Sequence, residues 1–105
     1  VFIDFTAAWC LSCQVNERVA LRTESVESAF AAANVALLRA DWTSRDSAIT
    51  DVLAGFGRSG VPLYVLYPAN ANGAATILPA VLTPGIVVDA VRKAAPTTLV
   101  SREVR

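Results

Sequence analysis

The sequence predicts an α/β sandwich, helices packed around a mixed four-stranded sheet in the order β-α-β-α-β-β-α. Three observations carry that expectation. Strand and helix signals alternate along the chain, the pattern of crossover connections between parallel strands. At 105 residues the chain has the length of one domain, and no internal repeat divides it. Its hydrophobic fraction of 54%, against 17% charged residues, suffices for a two- or three-layer core and excludes intrinsic disorder.

Each element has its own signal. Val1-Phe2-Ile3-Asp4-Phe5-Thr6 is short, apolar and rich in β-branched and aromatic residues, hence a buried first strand. Residues 11–22 read as a helix with Leu11, Val15 and Val19 at four-residue spacing on one face. Thr23 caps a continuation in which Val26 and Phe30 keep that spacing to about residue 33. Residues 35–40 form a second strand. Thr43 and Asp46 make a capping-box-like pair ahead of Ile49, Val52, Leu53 and Phe56, spaced as in a helix buried along one stripe, and Gly55 and Gly57 end it. A third strand covers residues 63–67, and Asn72-Gly73 is a turn signal before a fourth at 75–78. Thr83-Pro84 sets an N-cap before a proline at the first helical position. Val87, Val91 and Ala94 then mark a last helix, which stops before Pro96. The domain thus spans residues 1–95, and residues 96–105 read as a C-terminal tail or linker.

The inventory excludes several classes of function. Nine basic residues balance nine acidic ones, and a neutral domain without a basic stripe is a poor nucleic-acid binder. No apolar run reaches the roughly 18 residues of a membrane span. The chain starts at Val1 without Met or signal peptide, so it reads as an excised piece of something longer. There is no His, the commonest general base and metal ligand. The only cysteines are Cys10 and Cys13, too few ligands for a structural zinc site in a monomer and too few bridges for a disulfide scaffold. What remains is a reactive pair, with two core cysteines that merely lie close as the bland alternative.

Cys10 follows a strand at the mouth of a helix, and Cys13 lies one turn further in. Free amides and the macrodipole at a helix N-terminus stabilise an anion, so Cys10 is expected to be the acidic, attacking sulfur. Cys13, within disulfide reach behind it, is the more buried resolving thiol, and the chemistry is exchange through a mixed disulfide. Asp4 sits in the middle of an apolar strand. Burial there raises its pKa, unless the residue faces outward. Glu17, four residues after Cys13 and seven after Cys10, shares their helix face or is simply solvated. Two carboxylates near a thiolate oppose its formation and counter the helix dipole. Trp9 either shields the disulfide and offers contact surface or belongs to the core, whereas Trp42, Tyr64 and Tyr67 read as packing.

The stretch Phe2-Ile3-Asp4-Phe5-Thr6-Ala7-Ala8-Trp9-Cys10-Leu11-Ser12-Cys13 resembles the thioredoxin active-site segment, with Trp directly before the first Cys and Asp six residues before it. Four blocks narrow the match: Cys-Leu-Ser-Cys-Gln-Val-Asn-Glu, Ala40-Asp41-Trp42-Thr43, Gly60-Val61-Pro62-Leu63-Tyr64 and Leu82-Thr83-Pro84-Gly85-Ile86. Together they look like the C-terminal periplasmic domain of DsbD- and ScsB-type thiol:disulfide interchange proteins, over about residues 1–95. The chain departs from thioredoxin proper in lacking Gly-Pro between the cysteines. It also lacks the extra N-terminal strand and helix usual in such domains.

The resemblance implies a thioredoxin-like fold in which Asp4 lies beneath the cysteines and helps proton transfer to and from Cys13. It implies an acidic residue near the active site at Glu17, and a cis Pro62 facing the cysteine pair, so that the Val61 backbone pairs with a partner's extended segment. The implied function is a protein-disulfide reductase that takes electrons from a membrane-embedded redox domain of the same parent protein and hands them to periplasmic thiol/disulfide proteins. No cofactor and no metal enter, because the sulfurs hold the electrons. The implied location is the periplasmic side of a bacterial inner-membrane protein. The alternatives are a free-standing thioredoxin-like reductase or oxidase, and a non-catalytic binding module whose disulfide is static. Residues 35–40, apolar and normally flanked by the extra strand, are expected to be an edge covered by upstream chain, by another chain or by the tail from Pro96.

Overall fold

A computed structural model describes residues 1–68 and 73–94. The chain runs β1 (Phe2–Thr6), α1 (Leu11–Asn16), a π-helical segment (Glu17–Leu21), α2 (Glu24–Ala32), β2 (Leu37–Asp41), α3 (Ser47–Gly55), β3 (Leu63–Leu66), β4 (Thr76–Leu78) and α4 (Pro84–Ala94). The sheet order is β2-β1-β3-β4, with β1 and β2 parallel and the β1–β3 and β3–β4 pairs antiparallel. This is the mixed four-stranded sheet that the alternating signals predict. Of the Asn72-Gly73 turn, Asn72 lies outside the described residues, as does the tail 96–105.

Strand alternation divides the core in two. One face of the sheet carries Phe2, Tyr64, Leu66 and Leu78, packed on Ala20 and Leu21 of the π segment, Val26 and Phe30 of α2, and Val87 and Val91 of α4. The other carries Phe5, Leu63 and Val65, packed on Trp42 and on Leu53 of α3. β3 has neighbours on both sides and both faces, so its four residues Leu-Tyr-Val-Leu are all buried. Asp4 is in register with Tyr64, on the face that receives α1.

The helix ends follow capping chemistry. Thr23 Oγ1 accepts from the Val26 amide at the start of α2, and Thr83 Oγ1 from the Ile86 amide at the start of α4, as both sequences predict. α2 and α3 end alike. Asn34 (φ 58°) and Gly57 (φ 74°) take the left-handed conformation, and the amides of Val35 and Arg58 reach back to the carbonyls of Phe30 and Leu53.

Five readings need correction. The helix at 11–22 is α-helical only to Asn16, then widens to a π turn that ends at Leu21. Its Leu11–Val15–Val19 stripe faces outward, with Leu11 81% exposed, while Cys13, Asn16, Ala20 and Leu21 face the sheet. The second strand begins two residues later than its apolar run, because residues 33–35 are used in closing α2. At α3 the cap is Asp46, whose Oδ1 accepts from Ala48 and Ile49. Of the four stripe residues only Leu53 is fully buried, and Val52 is exposed.

Candidate active site

The turn at residues 7–10 carries the chain from β1 into α1. The Ala7 carbonyl accepts from the Cys10 amide (3.1 Å) and from Gln14 Nε2 (3.3 Å), which folds this turn back onto the helix. Cys10 is the N-cap of α1, with extended backbone, and its Sγ accepts from the Cys13 amide at 3.2 Å. A sulfur thus holds the place usually taken by a serine or aspartate oxygen. Cys10 and Cys13 are joined as a disulfide with their Cα atoms 5.3 Å apart. Both residues are buried, Cys13 the more deeply, and with Ala7 they form a small cluster against Val61. The Val61–Pro62 peptide is cis.

A second segment holds the turn from the side. The Ala8 amide donates to Thr43 Oγ1 (2.8 Å) and Trp9 Nε1 to the Thr43 carbonyl (3.0 Å). Thr43 is held in turn by Asp41, whose Oδ1 accepts from both its amide and its hydroxyl, and these bonds lower the Asp41 pKa. The residue that sequence spacing assigns to a helix cap therefore anchors the cysteine turn. Trp9 is 46% exposed, its ring 5.9 Å from that of buried Trp42. The Arg45 guanidinium lies over both rings, 4.7 Å from Trp9 and 5.2 Å from Trp42.

Beneath the helix the site is polar and closed. Asp4 is only 4% exposed, and its Oδ1 has no hydrogen-bond partner among the described residues. Burial pushes its carboxyl up to about 6; Arg39 pulls it down and Glu17 adds to the rise. Glu17, at the start of the π segment, is ion-paired with Arg39 of β2. Tyr64 is fully buried beside Asp4, and its hydroxyl accepts from Asn16 Nδ2 at 2.9 Å. Burial raises this phenol to about 12 despite that bond. Among the described residues no three His, Cys, Asp or Glu side chains gather as a metal-binding group.

Sequence reasoning missed Asn16, Thr43, Arg39 and Arg45. Asn16 carried a usable signal: it follows Cys13 by three residues, on the face opposite the apolar stripe. Its Nδ2 also donates to the Ala80 carbonyl (2.7 Å), and its Oδ1 accepts from the Leu82 amide (3.1 Å). The side chain thus ties α1 to β3 and to the chain before α4. The other three depend on contacts between distant segments, which spacing along the chain does not reveal.

Comparison with known proteins agrees with this geometry. The chain is 35% identical over 74 residues to the thiol:disulfide interchange protein DsbD of Ralstonia nicotianae, an alignment covering 70% of this chain and 12% of that much longer relative. The structure is similar to the DsbD C-terminal domain of Neisseria meningitidis at 20% identity. TM-scores are 0.73 for its reduced form and 0.72 for its oxidised form, covering 90% of this chain and 79% and 78% of those. A disulfide-bonded Cys-x-x-Cys pair at the mouth of a helix supports thiol:disulfide exchange, the chemistry of an oxidoreductase. A thioredoxin-like family model matches residues 1–69. On that match, and with this strand, cysteine pair and helix in place, the chain belongs to the thioredoxin-like family and is similar within it to the C-terminal domain of DsbD.

Proposed function

We propose that this domain, residues 1–95, is a protein-disulfide reductase. It shuttles electrons from a membrane-embedded redox domain of the same parent protein to periplasmic thiol/disulfide proteins, on the periplasmic side of a bacterial inner membrane, with residues 96–105 as tail or linker. The observation that carries the reading is the Cys10–Cys13 disulfide at the start of α1, with an amide aimed at the first sulfur. The similarity to DsbD supports the partners and the location. Among the described residues no helix is long and apolar enough to cross a membrane.

In the reduced domain the Cys10 thiolate attacks one sulfur of the acceptor's disulfide. The Cys10–acceptor S–S bond forms as the acceptor's own S–S bond breaks, and the released thiolate takes a proton from solvent. Cys13 then gives up its proton and attacks Cys10 Sγ. The intramolecular disulfide forms, the mixed disulfide breaks, and the second acceptor thiolate is protonated. Each acceptor disulfide gains two electrons and two protons, and a donor dithiol reverses these steps to reload the domain. Asp4 takes the Cys13 proton, a task suited to a carboxyl that titrates near 6. Glu17 acts in the same sense at longer range. Half-exposed Trp9 offers the acceptor a flat apolar surface, and the Val61 backbone, ahead of Pro62, pairs with its extended segment.

The test is equilibration with defined thiol/disulfide buffers, followed by trapping. A shuttle has a reduction potential between roughly −120 and −270 mV, whereas a static structural disulfide lies below about −300 mV. Cys13→Ala accumulates mixed disulfides that nothing resolves, and Cys10→Ala does not. A potential in the static range refutes the shuttle; the opposite trapping pattern reverses the roles of the two cysteines.

A further inference from the structure

We propose that Arg45 is a specificity-determining residue that selects acceptors with Asp or Glu close to the reacting cysteine. Its guanidinium rests on Trp9, one residue ahead of Cys10, and presents a fork that fits a carboxylate. The inference deepens the proposed reading of the domain as a shuttle and rests on it. The loop after β2 builds the platform. Trp42 is buried, and its Nε1 donates to Thr50 Oγ1 at 2.8 Å, which fixes that ring from α3. Trp9 lies against it, with 5.9 Å between centroids and 54° between planes, and its own Nε1 is spent on the Thr43 carbonyl. The Arg45 amide donates to the Trp42 carbonyl (2.8 Å), and the residue takes the left-handed conformation at φ 54°. Glycine or asparagine adopts that conformation at less cost than arginine. Here it returns the chain so that one guanidinium lies 4.7 Å from the Trp9 centroid and 5.2 Å from that of Trp42.

A cation held over a ring is bound through the ring's quadrupole, a contact that uses none of its N–H donors. Arg45 joins neither of the ion pairs among the described residues, which are Arg39–Glu17 and Lys93–Asp89. The two aspartates of its own loop are engaged elsewhere. Asp41 Oδ1 accepts from the Thr43 amide and hydroxyl. Asp46 Oδ1 caps α3, where the helix dipole offsets its charge. Trp9 is half-exposed and Arg45 is exposed, so the contact surface beside Cys10 ends in a cation that water alone now satisfies among the described residues. Trp9, Leu11 and Val61, which flank the disulfide, carry no charge of their own. An extended acceptor segment advances about 3.3 Å per residue, so a side chain two or three residues from its cysteine reaches across Trp9 to the guanidinium. The exchange steps are those given above. What Arg45 changes is which segments dock.

The experiment offers the reduced domain two synthetic peptides, each closed by one disulfide and identical except for Glu or Gln two residues from the attacked cysteine. The readout is the ratio of the two exchange rates within each variant, so a general change in Cys10 reactivity cancels. The unsubstituted domain is expected to prefer the Glu peptide about fivefold at low salt, a preference that shrinks at about 0.5 M salt. Arg45→Gln is expected to bring the ratio close to one. Arg45→Asn, a residue suited to left-handed backbone, does the same and covers the case in which Arg45→Gln folds poorly. Arg45→Lys keeps the charge, loses the fork and retains part of the preference. If the unsubstituted domain exchanges with both peptides at equal rates, Arg45 selects nothing while the shuttle reading stands. If the preference survives in Arg45→Gln and Arg45→Asn, another group reads the charge and the assignment to Arg45 is overturned. If the unsubstituted domain exchanges with neither peptide although Cys10 alkylates, the shuttle reading falls, and the selectivity falls with it.

Discussion

Asp4 opposes folding at neutral pH, because its buried carboxyl is costly to ionise. In the folded chain it holds its proton to about pH 6, whereas an ordinary aspartate releases it near 3.8. Between those values the folded state binds more protons than the unfolded one, so stability falls as pH rises from about 4 to 6 and stays lower above. Asp4→Asn is therefore expected to stabilise the domain by about 1–2 kcal/mol at pH 7, allowing for solvent screening, and by nothing at pH 3.5. Urea unfolding at both values checks this; an equal gain at both would remove the titration from the account. Asn16 is the opposite case, a buried polar side chain whose three bonds are all made. Asn16→Ala leaves the Tyr64 hydroxyl, the Ala80 carbonyl and the Leu82 amide without this partner, at an expected cost of about 2–4 kcal/mol in the same assay. Asp4 was legible in the sequence, because one carboxylate in an apolar strand is conspicuous. For Asn16 the spacing from Cys13 signalled only the helix face; its bonds were not legible, because its partners lie 48 to 66 residues away.

Among the elements, the first helix shows where periodicity misleads. Leu11, Val15 and Val19 have the spacing of a core stripe, yet all three are exposed. The buried face instead carries Cys13, Asn16 and Ala20, small or polar residues that allow the helix to approach the sheet and leave the sulfurs beside Val61. Val15→Ser should therefore change stability by no more than about 0.5 kcal/mol, whereas Leu21→Ala should cost about 2–4 kcal/mol. A large loss at Val15 would mean that the outward stripe is covered. The loop before α3 makes a similar point. Asp46→Ala removes the cap and is expected to cost about 1 kcal/mol. Thr43→Ala leaves that cap and the Trp9 bond to the residue-43 carbonyl intact and instead frees the Ala8 amide, so its effect should be read in Cys10 alkylation rates. Both residues were visible as capping candidates, but only the folded loop shows which one caps and which one holds the cysteine turn.

For the molecule as a whole, β2 is the open question of surface. It is the edge of the sheet, with no strand beyond it among the described residues, and Leu37 and Leu38 are exposed there. The tail from Pro96, one of the coverings expected for this edge, lies outside the described residues. Ladder bonds from Phe2 to Ala36 and from Trp42 to Thr6 turn the even-numbered residues of β2 toward β1 and the odd-numbered ones away. Amide exchange in the isolated domain should then be fast at Leu37, Arg39 and Asp41 and slow at Leu38 and Ala40. Slow exchange at all five that persists on dilution would place a covering segment of this chain on the edge.

By itself the sequence determined the order of elements, the strand–Cys-x-x-Cys–helix unit and a carboxylate in an apolar strand, which the family resemblance set beneath the cysteines. These are local or periodic properties, written in apolar runs, caps and the six-residue spacing from Asp4 to Cys10. The tertiary structure alone decided which face of the first helix is inside, which threonine or aspartate caps α3, that Thr43 and Arg45 converge on the cysteine turn, and that Arg39 pairs with Glu17. Those outcomes depend on the parallel register of β1 with β2, and on a loop that returns to the same end of the sheet. Only closure of the chain brings residues some 20 to 35 positions apart to hydrogen-bonding distance.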